Sequence, residues 1–195
     1  RLTKAVIDST DLPVTVKTRL GWDESSINID EVAERLQDIG VQALSIHART
    51  RAQMYKGHSD WSHIARVKNN PRITMPIFGN GDIDSPEKAR DVLAYTGADA
   101  VMVGRAAQGR PWIFREISHF LEMGTHLAPP LVTEVKRLLL EHLMDHYSLY
   151  GEFSGVRTAR KHIGWYVRTL PGGDAFREHM NTLQTADAQL AAVAA

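Results

Sequence analysis

Short apolar runs alternate with amphipathic stretches through the first two thirds of the chain. Pro13-Val14-Thr15-Val16-Lys17-Thr18-Arg19 is compact and β-branched, a strand pattern. Asn28 stands where it can cap a helix, with Glu31 three residues on. Ile29, Val32, Ala33, Leu36 and Ile39 form that helix's apolar stripe, and Gly40 stops it. Ala43-Leu44-Ser45-Ile46-His47 reads as a buried strand, followed by a long polar loop and a helix near Trp61 to Val67. Met75 to Gly79 predicts a third strand, and Ser85-Pro86 a capped helix start with proline in its first turn. Ala98 to Gly104 predicts a fourth strand. Pro111 opens a helix whose apolar face is Ile113, Ile117, Phe120 and Leu121.

These β-α units recur at roughly 25–31-residue spacing, the size of a βαβ repeat. Nearly continuous apolar strands separated by helices imply a parallel sheet covered on both faces. A doubly wound sheet and a (β/α)8 barrel both satisfy that pattern, and a whole barrel needs about 250 residues. Beyond the loop at Gly124–Pro130 the strand signals vanish. Thr133 to Tyr150 is helical, with Val135, Leu138, Leu139, His142, Leu143 and Tyr147 on one face and Gly151 at its end. Ser154 to Leu170 predicts a second helix, stopped by Pro171-Gly172-Gly173; Asp174 caps a third, and an alanine-rich fourth closes the chain. The expected organisation is a β-α domain over 1–121, a linker over 122–130 and a helical domain over 131–195.

Composition narrows the chemistry. Lysine plus arginine (23) equals aspartate plus glutamate (23), so any affinity for nucleic acid must be local. Cysteine is absent, which removes disulfides, thiolate metal sites and a thiol catalyst from these 195 residues. No apolar run approaches the roughly 20 residues of a membrane span, and no signal peptide opens the sequence. A cytoplasmic protein is expected. The chain begins at Arg1, in what reads as the middle of a helix, which predicts a piece of something longer.

Ligands of parallel β-α folds sit at the carboxyl ends of the strands. Those ends carry Lys17 and Arg19, His47 and Arg49, Gly79-Asn80-Gly81-Asp82, and Gly104-Arg105. A lysine inside an apolar strand needs an anion or a carboxylate. A structural ion pair is the plainer account of it alone, less so with His47, Asn80 and Arg105 at equivalent places on sister strands. The two glycine loops suit a phosphate, because glycine lets the backbone approach an anion and arginine adds a forked charge. The loop 48–61 carries Arg49, Arg51, Lys56 and His58, which a solvated loop explains equally well. Arg157, Arg160, Lys161 and Arg168 fall within about 100° on a helical wheel and form one basic face. Trp165 and Tyr166 stand nearby; RNA phosphates or plain solvent would suit that face. His142 and His146 have a metal-compatible spacing, but no third ligand stands out, and a role in packing or at the surface is expected instead of a metal.

Five motifs, in order, resemble the tRNA dihydrouridine synthases: VTVKTRLGWD (14–23), SIHARTRAQMYKGHSDW (45–61), IFGNGDI (77–83), GADAVMVGRAAQGRPWIF (97–114) and ARKHIGWY (159–166). The resemblance implies the C-terminal half of a (β/α)8 TIM barrel that binds FMN, followed by a small all-α domain that binds tRNA. It implies that Lys17 and His47 contact the flavin, and that Asn80, Gly81, Asp82, Gly104 and Arg105 hold its ribityl chain and phosphate. NADPH would reduce the flavin, and a hydride would pass to C6 of uridine in tRNA. Arg49, Arg157, Arg160, Lys161 and Arg168 would contact the RNA. The family's proton donor is a cysteine from the first half of the barrel, so no catalytic residue is expected in this chain. Ala48 and Gly79 stand where glycine and alanine are common in the family, both small-for-small changes. Two other readings are another FMN barrel, such as a dihydroorotate dehydrogenase relative, and a non-catalytic RNA-binding or oligomerising fragment. A half-barrel exposes strand edges, so self-association is expected.

Overall fold

The computed structural model describes residues 1–195. By its internal contacts the chain divides into two compact units, Arg1–Arg105 with Phe120–Met123, and Ala106–His119 with Gly124–Ala195.

In the first unit the elements run α1 (Leu2–Asp8), β1 (Thr15–Arg19), α2 (Ile29–Asp38), β2 (Ala43–His47), α3 (Ser62–Lys68), β3 (Ile77–Asn80), α4 (Pro86–Thr96) and β4 (Ala100–Met102). All pairings are parallel and the strand order is β1-β2-β3-β4. An order without reversal has no topological switch point, which a doubly wound sheet requires. Successive side chains along a strand alternate between faces. Leu44, Ile46 and Ile77, all essentially inaccessible, pack with Ile29, Ala33 and Leu36 of α2 and Ile64 and Val67 of α3. The in-register rows Lys17, Ser45, Phe78 and Arg19, His47, Asn80 therefore lie on the other face.

Helix boundaries follow local chemistry with some corrections. Ser85 Oγ accepts from the Lys88 amide and Pro86 occupies the first turn of α4, as expected. Asn28 sits at the start of α2 but its side chain makes no cap; its backbone amide donates to Leu20 O instead. The capping box lies upstream, where Asp23 and Ser26 exchange hydrogen bonds around a 3-10 turn.

The second unit is helical. Apart from the segment of α5 (Ile113–Met123) that belongs to it, it contains α6 (Val132–Val167), α7 (Gly173–Thr182) and α8 (Ala186–Ala194). On α5, Ile113, Ile117 and Phe120 are buried while Leu121 is exposed, so its apolar stripe is narrower than expected. Gly151 breaks α6 with φ 70° and ψ 171°, a conformation that glycine adopts without the steric cost other residues meet. The two arms fold back on each other, because His146 reaches Thr158 and Gly155 lies against Tyr147. Their core is Val135, Leu139, Leu143, Ala159, Ile163 and Val167, closed by Met180 of α7 and Val193 of α8. Gly172, not Asp174, is the N-cap of α7; Asp174 falls in its first turn. Thr185 caps α8 by accepting from the Ala188 amide.

Candidate functional site

At the carboxyl edge of the sheet, Arg19, His47 and Asn80 stand side by side in register, with Lys17 one step behind on the same face. Lys17 is exposed rather than buried, and no acid faces it. Partial burial, then Arg19, lower its ammonium below the usual lysine range. His47 is 6% exposed, and its pKa is pushed down to about 4 by burial and by the charges of Arg19, Lys17 and Arg49. Its imidazole is therefore neutral at pH 7. Asn80 Nδ2 donates to Met102 O at 2.6 Å, linking β3 to β4 next to Gly104.

The loop from Ala48 to Trp61 is the most heavily fastened part of this unit. Arg49, expected among the RNA contacts, is 2% exposed and uses all five of its N–H groups internally. Nε donates to Lys56 O. One terminal nitrogen serves Ser59 Oγ and Asp82 Oδ1, and the other serves Gly57 O and Asp82 Oδ2, at 2.7–3.2 Å. A guanidinium so enclosed offers nothing to a phosphate, and its position corrects that expectation. Asp82, in a left-handed conformation with φ 53°, also accepts from the Ser59 amide at 2.9 Å and from Arg105 at 3.1 Å. Burial alone would raise its carboxyl, but the hydrogen bonds from Arg49 and Ser59 and the charge of Arg49 outweigh it and hold it below the usual carboxylate range.

Arg19 completes the fastening by donating to Thr50 O and Met54 O, both at 2.8 Å. Trp61 Nε1 donates to Gly81 O at 3.1 Å. Tyr55 results as a platform at the edge. The Arg105 guanidinium lies 4.6 Å from its ring centre, that of Arg19 5.6 Å, and the His47 ring 6.1 Å. Arg105 is exposed and commits one nitrogen to Asp82, which leaves the rest of its fork available. Around Gly104 the space a side chain would occupy is open. Gly81 is the opposite case, with φ 123° and Ser59 Oγ at 2.3 Å from where a Cβ would stand.

In the helical unit, the basic face divides. Arg157, Lys161 and Arg168 are exposed. Arg157 stacks on Phe153 at 3.7 Å, and Lys161 lies 5.7 Å from the Trp165 ring. Arg160 turns inward and donates to Leu183 O, the carbonyl just past α7, while its Nε is buried without a partner. The same arm brings His162 to His142 and His146. The His162 pKa falls to about 4, first through burial and then through the two other histidines and Lys161. Burial and His142 lower His146 as well.

The family model for dihydrouridine synthase matches residues 1–195. The chain belongs to the dihydrouridine synthase family. It is 52% identical over 189 residues to the tRNA-dihydrouridine synthase B of Pseudomonas aeruginosa, covering 97% of this chain and 56% of that protein. To the Pseudomonas putida protein of the same name it is 51% identical over 191 residues, covering 98% and 56%. The Vibrio cholerae protein is 50% identical over 190 residues, covering 97% and 58%. The chain thus spans somewhat more than half the length of the curated relatives it matches.

Within this dihydrouridine synthase chain, Lys17, His47, Asn80, Gly81, Asp82 and Arg105 converge at one sheet edge, with Gly104 beside Arg105. Arg49 joins them as a strut under the edge. Sequence reasoning passed over Tyr55, Ser59, Trp61 and the fastening role of Arg19. The crowding of polar and aromatic residues in 48–61 is the signal in the sequence that could have pointed to them. No helix is long and apolar enough to cross a membrane.

Proposed function

We propose that this chain is the cofactor- and RNA-gripping part of an FMN-dependent tRNA dihydrouridine synthase, and that residues 1–121 are the second half of a (β/α)8 barrel. The observation that carries the reading is the in-register row of Arg19, His47 and Asn80, with Lys17 one step behind on the same face and Gly104 and Arg105 beyond, in a chain that belongs to the family over its whole length. The strand order without reversal and the helices on the Leu44 face support the barrel.

The residues fit a flavin nucleotide. Lys17 holds an uncompensated positive charge on the open sheet face, suited to the electron-rich edge of a flavin ring. Neutral His47 can donate one hydrogen bond and accept another. Gly104 leaves room for a phosphate, and Arg105 presents the free part of its fork there. Asp82, a carboxylate, acts on the cofactor through the arginines and the loop it holds. FMN held by Lys17, His47, Gly104 and Arg105 would, once reduced by NADPH, supply a hydride for C6 of uridine. The chain has no cysteine, so the thiol that protonates C5 in the family is not among its residues. A uridine must leave its stack to reach this edge. Arg157, Lys161 and Arg168, with Phe153 and Trp165 as stacking surfaces, hold the tRNA within the helical domain, residues 131–195. Arg160 orders that domain from inside.

The deciding measurement is on the full-length gene product: a flavin absorption spectrum and NADPH-dependent loss of uridine from unmodified tRNA. A colourless protein that leaves tRNA unaltered defeats the reading. In that protein Lys17→Ala weakens flavin retention or slows reduction, and the apoprotein stays folded by circular dichroism. The 195-residue chain alone binds FMN weakly and forms no dihydrouridine.

A further inference from the structure

Three imidazoles meet where the arms of α6 fold back at Gly151. His142 and His146 stand one turn apart on the first arm, and His162 comes from the second. One nitrogen from each lies within 4.8 Å of the others. The His162 ring centre is 4.9 Å from His142 and 5.1 Å from His146. No carboxylate pairs with any of them. Aromatic rings flank the cluster: Trp165 meets His162 edge-on at 5.0 Å, Tyr150 lies 4.7 Å from His146 and Tyr166 5.9 Å from His142.

The hydrogen bond between His146 and Thr158 is informative. Thr158 Oγ1 donates its proton to Ser154 O at 2.8 Å, so towards His146 Nε2, at 2.7 Å, it acts as acceptor. With the hydroxyl proton committed to a carbonyl, the His146 proton sits on Nε2 and Nδ1 keeps its lone pair. Outer-shell hydrogen bonds of this kind fix the tautomer and orientation of metal-binding histidines. The rings of His142 and His162 have no hydrogen-bond partner, although both are half-buried. Three imidazoles turned together, one oriented from outside and two unpartnered, have no reason to converge on packing grounds alone.

We propose that His142, His146 and His162 form a binding site for one late first-row divalent metal ion, Zn2+ being the type case, with a fourth position open to solvent. Zn–N bonds of about 2.0–2.1 Å place tetrahedral ligand nitrogens about 3.4 Å apart. The widest pair must therefore close by about 1.4 Å, a displacement that rotation about χ1 and χ2 of the half-buried rings supplies. An all-nitrogen donor set suits Zn2+, Co2+, Ni2+ and Cu2+ and disfavours Mg2+ and Ca2+, which take oxygen. Bound metal joins the two arms of α6 across the Gly151 break.

The test titrates the chelator-treated, untagged chain with Zn2+ by calorimetry and with Co2+ by visible absorption. One equivalent of Zn2+ binds, Co2+ develops the absorption of a four-coordinate nitrogen site, and Mg2+ does neither. His162→Ala and, separately, His142→Gln each weaken Zn2+ binding at least tenfold and abolish the Co2+ spectrum. His58→Ala and His63→Ala, in the other unit, leave both unchanged. Circular dichroism checks that each variant is folded; should His162→Ala unfold, His142→Gln decides. Stoichiometric binding that survives the folded variants, or no binding at micromolar Zn2+, overturns the proposal.

Discussion

Arg49 is the residue on which a surface reading and a structural reading part most clearly. Its guanidinium is 2% exposed and its five N–H groups meet Lys56 O, Gly57 O, Ser59 Oγ and both oxygens of Asp82. Breaking a buried, hydrogen-bonded ion pair by removing one partner costs about 3–5 kcal/mol. In Arg49→Met the cost lies at the lower end. Asp82 keeps its bonds from the Ser59 amide and Arg105, and Lys56 and Gly57 are exposed enough to recover water for their carbonyls. A loss of about 3 kcal/mol in a chain of this size lowers the melting temperature by roughly 6–12 °C. Arg49→Lys recovers less than half of it, since an ammonium has three donors in place of a planar fork of five.

The assay is thermal denaturation with hydrogen exchange at the Ala48 and Ser59 amides, whose bonds to Asn80 O and Asp82 depend on the strut. The pH dependence adds a second arm. Asp82 titrates below its ordinary 3.8 in the folded chain, so its contribution is complete above that value and is lost as pH falls through the lowered folded pKa. The gap in stability between wild type and Asp82→Asn is thus constant above about pH 5 and closes in strong acid. If instead Arg49→Met melts within about 1 °C of wild type and reduces the salt slope of tRNA binding by about one, the residue contacts RNA and the structural account fails.

Two further outcomes follow from the same edge. Gly81→Ala forces a side chain into a left-handed backbone and against Ser59 Oγ, itself held by Arg49, and lowers the unfolding free energy measured in urea by about 2–4 kcal/mol. An NMR titration of His47 should place its pKa near 4. Because its folded pKa is depressed from 6.5, its contribution is complete above pH 6.5 and is lost as pH falls towards 4, and His47→Gln removes that part of the acid destabilisation.

The strands and helices were largely legible because each depends on its own local pattern. Ile77 and Leu44 are inside for the reason their runs suggested, and Gly151 interrupts α6 where the periodicity stopped. Charge and histidine were read less well, because their meaning depends on partners far along the chain. Arg49 finds Asp82 33 residues away. Arg160 finds the Leu183 carbonyl 23 residues away. His162 lies on the far arm from His142, so a spacing rule along one helix could not bring it to the pair.

The correction to Arg49 also changes what Asp82 does. In the proposed cofactor site, a carboxylate facing a phosphate unaccompanied would repel it. Here both oxygens are turned to guanidinium groups, one from buried Arg49 and one shared with exposed Arg105. The buried arginine and the Ser59 amide fix the carboxylate, and the carboxylate fixes the exposed arginine over Tyr55. Arg105 is thereby positioned before any ligand arrives, and part of the entropy of ordering a long side chain is lost on folding rather than on binding. Asp82→Asn keeps the shape but leaves Arg49 with an uncompensated buried charge, so it should loosen Arg105 and the 48–61 loop together. Arg105→Ala removes one contact and leaves the loop intact. Comparing the two separates the strut from the grip.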